Sequence, residues 1–377
     1  MLAYFSGMTD PRIDRTKLHS LHNIIVMALC GAIGGADGWD DLEEFSEERQ
    51  EWFETFLEMP NGTPSADTFR RVFSALDPTE FEGRFRAWLT AFAGSLEGKV
   101  VAIDGKTLRG ALERATQATA LHLLHVWAAE QQVLLAHCAV EGAPGEIEAI
   151  PSLLKLVNVK GAIVTTDANG CTADVTKAVR EAEADYLLAL KGNRSTLHDH
   201  VRRLFVEAEE RSYRGVATAR SADQGHGREE QRVVRAMPLG ELPENNHAEW
   251  IDLRTIVQIE RTRTVAGETT CEREFFITSL PPLPKRIAKA IREHWSVENQ
   301  LHWCLDVGFD EDRRRIRDQN AAQNFATIVR CALAMIKRTP LMLRGKVRSR
   351  GVAAKRKNAG WSTAYLLSVL TTGIAQD

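Results

Sequence analysis

Residues 99–110 read KVVAIDGKTLRG, and the fold depends on how this stretch is read. Residues 100–103 are a short, unbroken apolar run, the pattern of a strand buried on both faces. A carboxylate, Asp104, follows, and then Gly105, Lys106 and Arg109. Two readings fit locally. Asp-Gly is a common turn dipeptide, so Asp104 bonds its own backbone where the strand ends. Alternatively, the strand ends by holding a catalytic acid over a cleft. Partners elsewhere in the chain must decide.

Outward from this strand the pattern stays mixed. Residues 121–129 and 132–140 read as a hairpin across the short Glu130-Gln131 link. Residues 146–157 are predicted helical, and 162–166 form a buried strand ending at Asp167. A helix at 173–183, a strand at 186–190 and a helix at 195–209 follow. Three strands in hairpin order and then alternating helix and strand predict an α/β fold: a mixed sheet with helices packed on it. Residues 1–95 read as a helical domain. Leu18, Leu21, Ile24, Ile25, Ala28 and Leu29 recur at helical spacing, as do Leu42, Phe45, Trp52, Phe53 and Phe56. Ser65 and Asp77-Pro78 read as helix starts, since their side chains can accept from free amides. Residues 213–282 read as a β-rich insertion of short strands. From Pro284 an amphipathic helix is predicted through Ile287, Ile291, Trp295, Glu298, His302 and Leu305. The expected organisation is a helical domain at 1–95, a core in two parts (96–212 and 283–340) split by the insertion, and a basic tail at 341–377.

At 377 residues, two or three structural parts are expected. The apolar run at 21–35 is too short to span a bilayer and lacks a basic start and a cleavage site, so neither a membrane nor a signal peptide is expected. Six scattered cysteines without CxxC spacing read as reduced thiols of a cytoplasmic protein. The net charge of −3 hides a strong asymmetry. Between Asp37 and Glu58 stand ten acids and one base, Arg49; between Arg313 and Lys357 stand fourteen Lys or Arg and one acid, Asp318. Such asymmetry points to a polyanion partner, or to a solvated basic face.

Asp104 and Asp167 each follow a short apolar strand, and Glu298 lies on the helix after the insertion. Two strand-end aspartates and a helix-borne glutamate suit a pair of hard divalent cations, which take oxygen ligands and act on phosphodiesters. Asp306, Asp310, Glu311 and Asp312 are rivals for the third place. His294, Glu298 and His302 alone make a weak zinc pattern.

The segments VAIDGKTLRG, TTDANGC, DYLLALKGN, DQGHGR and HWSVENQLHWCLDVGFDED, in this order, resemble the ISAs1 family of insertion-sequence transposases, the H-repeat-associated type. The runs ALCGAIGGADGWDDLEEF and PSADTFRRVFSALDP resemble that family's N-terminal domain, so the likeness covers almost the whole chain. The resemblance implies an RNase H-like DDE fold with flanking helices and a β-rich insertion before the glutamate. It makes Asp104, Asp167 and Glu298 the catalytic, metal-binding carboxylates. The wider IS4-type pattern has Tyr, Arg and Lys around the glutamate where this chain has Ile291, His294 and Leu305, so those phosphate contacts do not carry over.

The activity expected is Mg²⁺-dependent cleavage at insertion-sequence ends and strand transfer into target DNA, with two ions and Mn²⁺ as a substitute. The alternatives are an RNase H-like nuclease without strand transfer and a non-catalytic DNA-binding remnant. Double-stranded DNA, as terminal repeats and as target, is the expected partner of a homodimer at the bacterial nucleoid. Lys106, Arg109, Lys191, Asn193, His226 and Arg228 are candidate DNA contacts, as are Arg344, Lys346, Arg348, Arg350, Lys355, Arg356 and Lys357. The N-terminal domain is expected to recognise DNA ends.

Overall fold

The computed structural model describes residues 7–108, 120–225, 228–239 and 249–372; Arg109 and His226 lie outside them. The chain begins with five helices: α1 (Leu21–Gly34), α2 (Trp39–Glu47), α3 (Gln50–Glu54), α4 (Ala66–Ala75) and α5 (Pro78–Ala93). Their starts are set by the residues that read as caps. Ser65 Oγ accepts from the Thr68 amide, and Asp77 Oδ1 accepts from the amides of Thr79 and Glu80, 2.8 Å away in each case. These bonds satisfy amides that have no partner inside a helix.

β1 (Val100–Leu108) does not stop at the aspartate. Asp104, Gly105 and Lys106 continue its antiparallel ladder against β2 (Leu121–Ala128), opposite His125, Leu124 and Leu123. The turn reading of Asp104-Gly105 is thereby overturned. β2 turns back into β3 (Val133–Val140), followed by α6 (Gly142–Leu156). What ends at Ile103 is the neighbour on β1's other edge. β4 (Ile163–Thr166) runs parallel to β1 only as far as the pair Ile103–Thr166. Asp104 therefore sits in a notch where a central strand loses one partner, and a charge there escapes the full penalty of a closed core. After α7 (Ala173–Glu181), β5 (Asp185–Leu190) lies parallel to β4. The strand order 3-2-1-4-5, with helices packed on it, is the RNase H-like arrangement.

α8 (Ser195–Glu210) leads into the insertion, whose strands are long: β6 (Ala217–Gly225), β7 (Arg228–Pro238), β8 (Thr255–Val265) and β9 (Glu268–Thr278). They are not the short strands expected. β9 pairs antiparallel with β5, so the insertion extends the same sheet to nine strands.

The remaining chain is α9 (Pro284–His294), a π-helical turn at Val297–His302, α10 (Trp303–Phe309) and α11 (Gln319–Arg338). The single regular helix expected through Glu298 is thus interrupted. Ile287 and Ile291 are buried, but Trp295 is half exposed and the buried positions resume at Val297, Leu301 and Leu305. α11 packs against α1, α4 and α5, so the N-terminal helices share one apolar core with the helices that follow the sheet.

The segment after 340 is no free tail. β10 (Leu341–Leu343) and β11 (Lys346–Arg348) form a small hairpin, and α12 (Val352–Trp361) and α13 (Thr363–Thr372) pack on α1 and α11. Lys355 Nζ donates to the carbonyls of Ile336 and Thr339, 3.0 and 2.7 Å away, and so caps α11 with a cation. Arg356 is buried. It donates to the carbonyls of Ala32, Gly308 and Ala36 and to the Asp37 carboxylate, with its guanidinium over the Phe309 ring. As DNA contacts, these two residues are corrected: their polar groups are used inside the fold. Arg356→Gln is expected to cost about 2 kcal/mol, because it strands buried acceptors. Thermal melting measures this, and an unshifted Tm accompanied by weakened DNA binding would restore Arg356 to the DNA surface.

Among the described residues no single helix is long and apolar enough to cross a membrane. All six cysteines are free.

Candidate active site

Asp104, Asp167 and Glu298 come from β1, from the loop after β4 and from the π-helical turn, and they line one cleft of about 320 Å³. Asp167 also makes the turn that its sequence suggested. Its Oδ1 accepts from the amides of Asn169 (3.0 Å) and Gly170 (3.3 Å), which fixes the carboxylate at the strand end. Glu298 remains 64 % exposed, open to a substrate as large as a duplex.

A residue outside the candidate set joins them. His302 is buried, with Nδ1 3.5 Å from Asp104 Oδ2 and 3.7 Å from Glu298 Oε2. One ligand atom each from Asp104, Glu298 and His302 falls within 4.8 Å of the other two. Burial, helped by Lys106, Arg330 and His122, pulls the His302 pKa down to about 3, so the ring is neutral and its nitrogen is free to ligate. Asp104 shows the opposite strain. Burial, and then repulsion from Asp167, Glu298 and Glu146, pushes it up to about 7. Crowded carboxylates around one buried acid are a site that a divalent cation relieves, and the oxygen-rich donor set fits a hard ion.

The rivals for the third place are occupied elsewhere. Lys106 is 7 % exposed and donates to Asp306 (2.6 Å) and Asp312 (3.4 Å), while Glu311 pairs with Arg330. Asp310 has a left-handed backbone (φ 50°) at the end of α10 and pairs with Arg313. Lys106 is therefore buried in an internal ion pair instead of facing a phosphate, which corrects its assignment as a DNA contact. Asn193 Nδ2 donates to the Ala168 carbonyl (2.8 Å) and braces the loop after Asp167. Lys191 and Arg273 do line the cleft. Arg228 is exposed where β7 begins, and Arg344, Lys346, Arg348, Arg350 and Lys357 are exposed on the C-terminal segment.

Two of the positions that depart from the IS4-type pattern belong to the core, and the third, His294, lines the cleft. Ile291 and Leu305 are buried, and His294 Nδ1 lies 2.9 Å from Thr165 Oγ1, with its pKa pulled to about 4 by burial. His302 stood in the sequence four residues after Glu298, a visible spacing. Nothing local marked its contact with Asp104.

Residues 95–335 match the Transposase DDE domain family, and residues 2–89 match the DDE_Tnp_1-associated family. The chain belongs to the DDE transposase family. It is 34 % identical over 377 residues to Putative transposase YncI of Escherichia coli O157:H7, covering 99 % of this chain and 94 % of that one. It is 32 % identical over 374 residues to H repeat-associated putative transposase YhhI of Escherichia coli (strain K12), covering 98 % and 97 %. A short relative from the same strain, Inactive transposase YbfQ, is 37 % identical over 20 % of this chain and 88 % of its own. The family normally uses a divalent metal, and the Asp104–Glu298–His302 group is a fitting place for one.

Proposed function

We propose that this transposase, of the ISAs1 type, cuts DNA at insertion-sequence ends and joins the freed 3′-OH to target DNA with Mg²⁺. The observation that carries this reading is the convergence of Asp104, Asp167 and Glu298 on one open cleft beside exposed Lys191. Asp104, Asp167, Glu298 and His302 would hold the cations. When bound, a pair of Mg²⁺ (or Mn²⁺) ions supplies activation of the attacking oxygen and neutralisation of the leaving oxygen in an in-line displacement.

The chain's own residues supply position. Asp104 is fixed by the ladder of β1 and Asp167 by its turn, so little reorganisation is needed as charge develops. Glu298 approaches from the exposed π-helical turn. Lys191 sits where the backbone phosphates of a bound strand would pass, whereas the Arg273 guanidinium is paired with Glu209 and Glu260. Neutral His302 contributes a nitrogen without adding positive charge that would compete with the cations. Water would attack the phosphodiester first and displace its 3′ oxygen, leaving a 5′-phosphate and a free 3′-OH; that hydroxyl would then attack a target phosphodiester and displace a target 3′ oxygen, one P–O bond forming for each that breaks.

The experiment is a reaction of the purified protein, Mg²⁺ and a supercoiled plasmid carrying the terminal repeats. Excised and joined products are expected. Cut ends without joined product would leave a nuclease, and neither product would leave a DNA-binding remnant.

The exposed cations of the C-terminal segment are assigned to DNA backbone contact. Replacing Arg344, Lys346, Arg348 and Arg350 with Gln is expected to flatten the salt dependence of binding, by about 0.9 in the log–log slope for each phosphate no longer neutralised. An unchanged slope would make this segment a solubilising surface. We also assign recognition of DNA ends to the N-terminal helices. Arg70 and Arg71 there pair with Asp67 in exposed ion pairs, weak enough to be exchanged for phosphates. A bacterial, nucleoid-associated homodimer accords with this reading, since two ends must be held together.

A further inference from the structure

The hairpin of β10 and β11 is barely attached to the fold. Of its six strand residues only Leu341 is buried, and Met342 to Arg350 are all exposed. Two such strands are marginal on their own. Apolar residues scattered singly over a surface need no account. Here, however, Met342 and Val347 are direct cross-strand partners, 52 % and 66 % exposed, so they stand side by side on one face of the ribbon. Leu341, Leu343, Lys346 and Arg348 take the other face.

The turn between the strands adds a second observation. Arg344 and Gly345 both have left-handed backbones, φ 53° and 72°, as a two-residue hairpin turn demands. Glycine adopts that conformation freely, but at the first position asparagine or aspartate is the preferred occupant. The tip thus carries a cation against its local backbone preference. Lys346, Arg348 and Arg350 follow at every second residue, and the sequence has no acid from residue 319 to residue 376. Among the described residues none of these four cations has an ionic partner. Lys355 and Arg356 differ, since their polar groups are used inside the fold.

A bare apolar pair among unpaired cations, on a two-stranded projection, restricts what can cover it. A second copy of the ribbon would set four cations against four. A DNA duplex satisfies both features. Its phosphates take the cations, and its minor groove exposes base steps that apolar side chains can part. Methionine is one of the side chains that act as such wedges, and arginine is drawn into a narrow minor groove. We propose that the β10–β11 ribbon is a DNA-bending arm. It enters the minor groove with Arg344 leading and presses Met342 and Val347 against a base step, while Lys346, Arg348 and Arg350 hold the flanking phosphates. The duplex kinks where the step opens. The proposal rests on the assignment of these cations to DNA made above, and it gives the apolar face a use that phosphate contact alone leaves without one.

Energy transfer between dyes at the two ends of a duplex of ~30 base pairs tests this, with the full-length protein in chelator so that nothing is cut. The wild-type chain is expected to shorten the end-to-end distance. Met342→Gln combined with Val347→Thr is expected to leave the duplex straight, with an unchanged salt slope and affinity lowered by no more than about tenfold, since the phosphate contacts remain. Met342→Leu keeps a wedge and should bend DNA as the wild type does. Netropsin, which fills the minor groove, should abolish the wild-type bend. Both replaced residues are exposed, so Tm should not move; Met342→Gln alone serves if the double variant fails to fold. A bend kept by the folded Gln variant, or by the wild type under netropsin, would overturn the proposal and leave the phosphate contacts standing. So would a wild-type chain that leaves the duplex straight, whether its apolar pair then holds phosphatidylserine vesicles or, in light scattering, a second copy. A salt slope unmoved by replacing the four cations would overturn the backbone contacts and the arm together.

Discussion

Asp104→Asn is expected to lower DNA cleavage by roughly a thousand-fold or more while leaving the metal-free protein as stable as before, or more so. The two effects have opposite signs for one reason. Burial first, and then its like-charged neighbours, pushes the Asp104 pKa to about 7. Without cations the folded state loses stability as pH rises from the ordinary carboxylate range to about 7, where Asp104 must ionise in place, so a neutral isostere removes that penalty. With cations the same charge is the reason they bind, and losing it removes stabilisation where the transition state needs it. Added Mn²⁺ should therefore raise the wild-type Tm, by the equivalent of about 2.7 kcal/mol at a hundred times Kd, and leave Asp104→Asn nearly unmoved. Asp167→Asn and Glu298→Gln are expected to share the loss of cleavage. Full activity in Glu298→Gln with loss in Asp306→Asn would transfer the third role to Asp306. Full strand transfer by Asp104→Asn would remove the first carboxylate from the site altogether.

The parts of the fold legible in the sequence were those that local physics decides. An unbroken run such as Val100 to Ile103 has no amphipathic alternative and must be a buried strand. Ser65 and Asp77 satisfy amides within three residues of themselves, so their helix starts needed no tertiary knowledge. Asp104-Gly105 misled because its turn chemistry is also local and plausible. The ladder against β2 overrode it, and a Cβ at Gly105 would meet the side chains of Glu146 and His122, which are distant in sequence. The helix after the insertion misled for a related reason. The regular helix ends at His294 and a π-helical turn from Val297 adds residues per turn, so a stripe drawn at 3.6-residue spacing is exposed at Trp295 and Glu298.

The basic segment shows the same limit in its charges. Arg356 and Lys357 are adjacent and alike in sequence, yet one is bonded to Ala32, Ala36, Gly308 and Asp37 while the other is exposed. Composition reports how many cations a stretch carries. Only packing reports which carbonyls have already claimed them. His302 belongs to the same class of omission: its spacing from Glu298 was visible, but Asp104 stands nearly two hundred residues away.

Glu311→Gln is expected to destabilise the protein by about 3–5 kcal/mol, because it leaves a guanidinium buried without its counter-charge. Arg330, on α11, is 1 % exposed and has Nη1 2.6 Å from Glu311 Oε1. The same guanidinium group donates through Nε to His125 Nε2 (3.0 Å), on the strand opposite Asp104. Burial and the Arg330 charge hold His125 well below its ordinary pKa, so the ring is a neutral acceptor with its proton on Nδ1. His125 in turn lies against His302, with ring centroids 5.4 Å apart. A chain of contacts therefore runs from the helix shared with the N-terminal region to the metal-facing histidine. Loss of the Glu311 charge should lower Tm by about 5 °C, and it should also weaken Mn²⁺ binding at the Asp104–Glu298–His302 position in whatever fraction remains folded. The double replacement Arg330→Met with Glu311→Leu removes both charges together and should recover part of the stability, since no unpaired ion remains. It should not recover the metal affinity, because His125 still lacks the donor that orients it. A Glu311→Gln protein melting within about 2 °C of wild type would show that water reaches Arg330 and that the pair is not closed off.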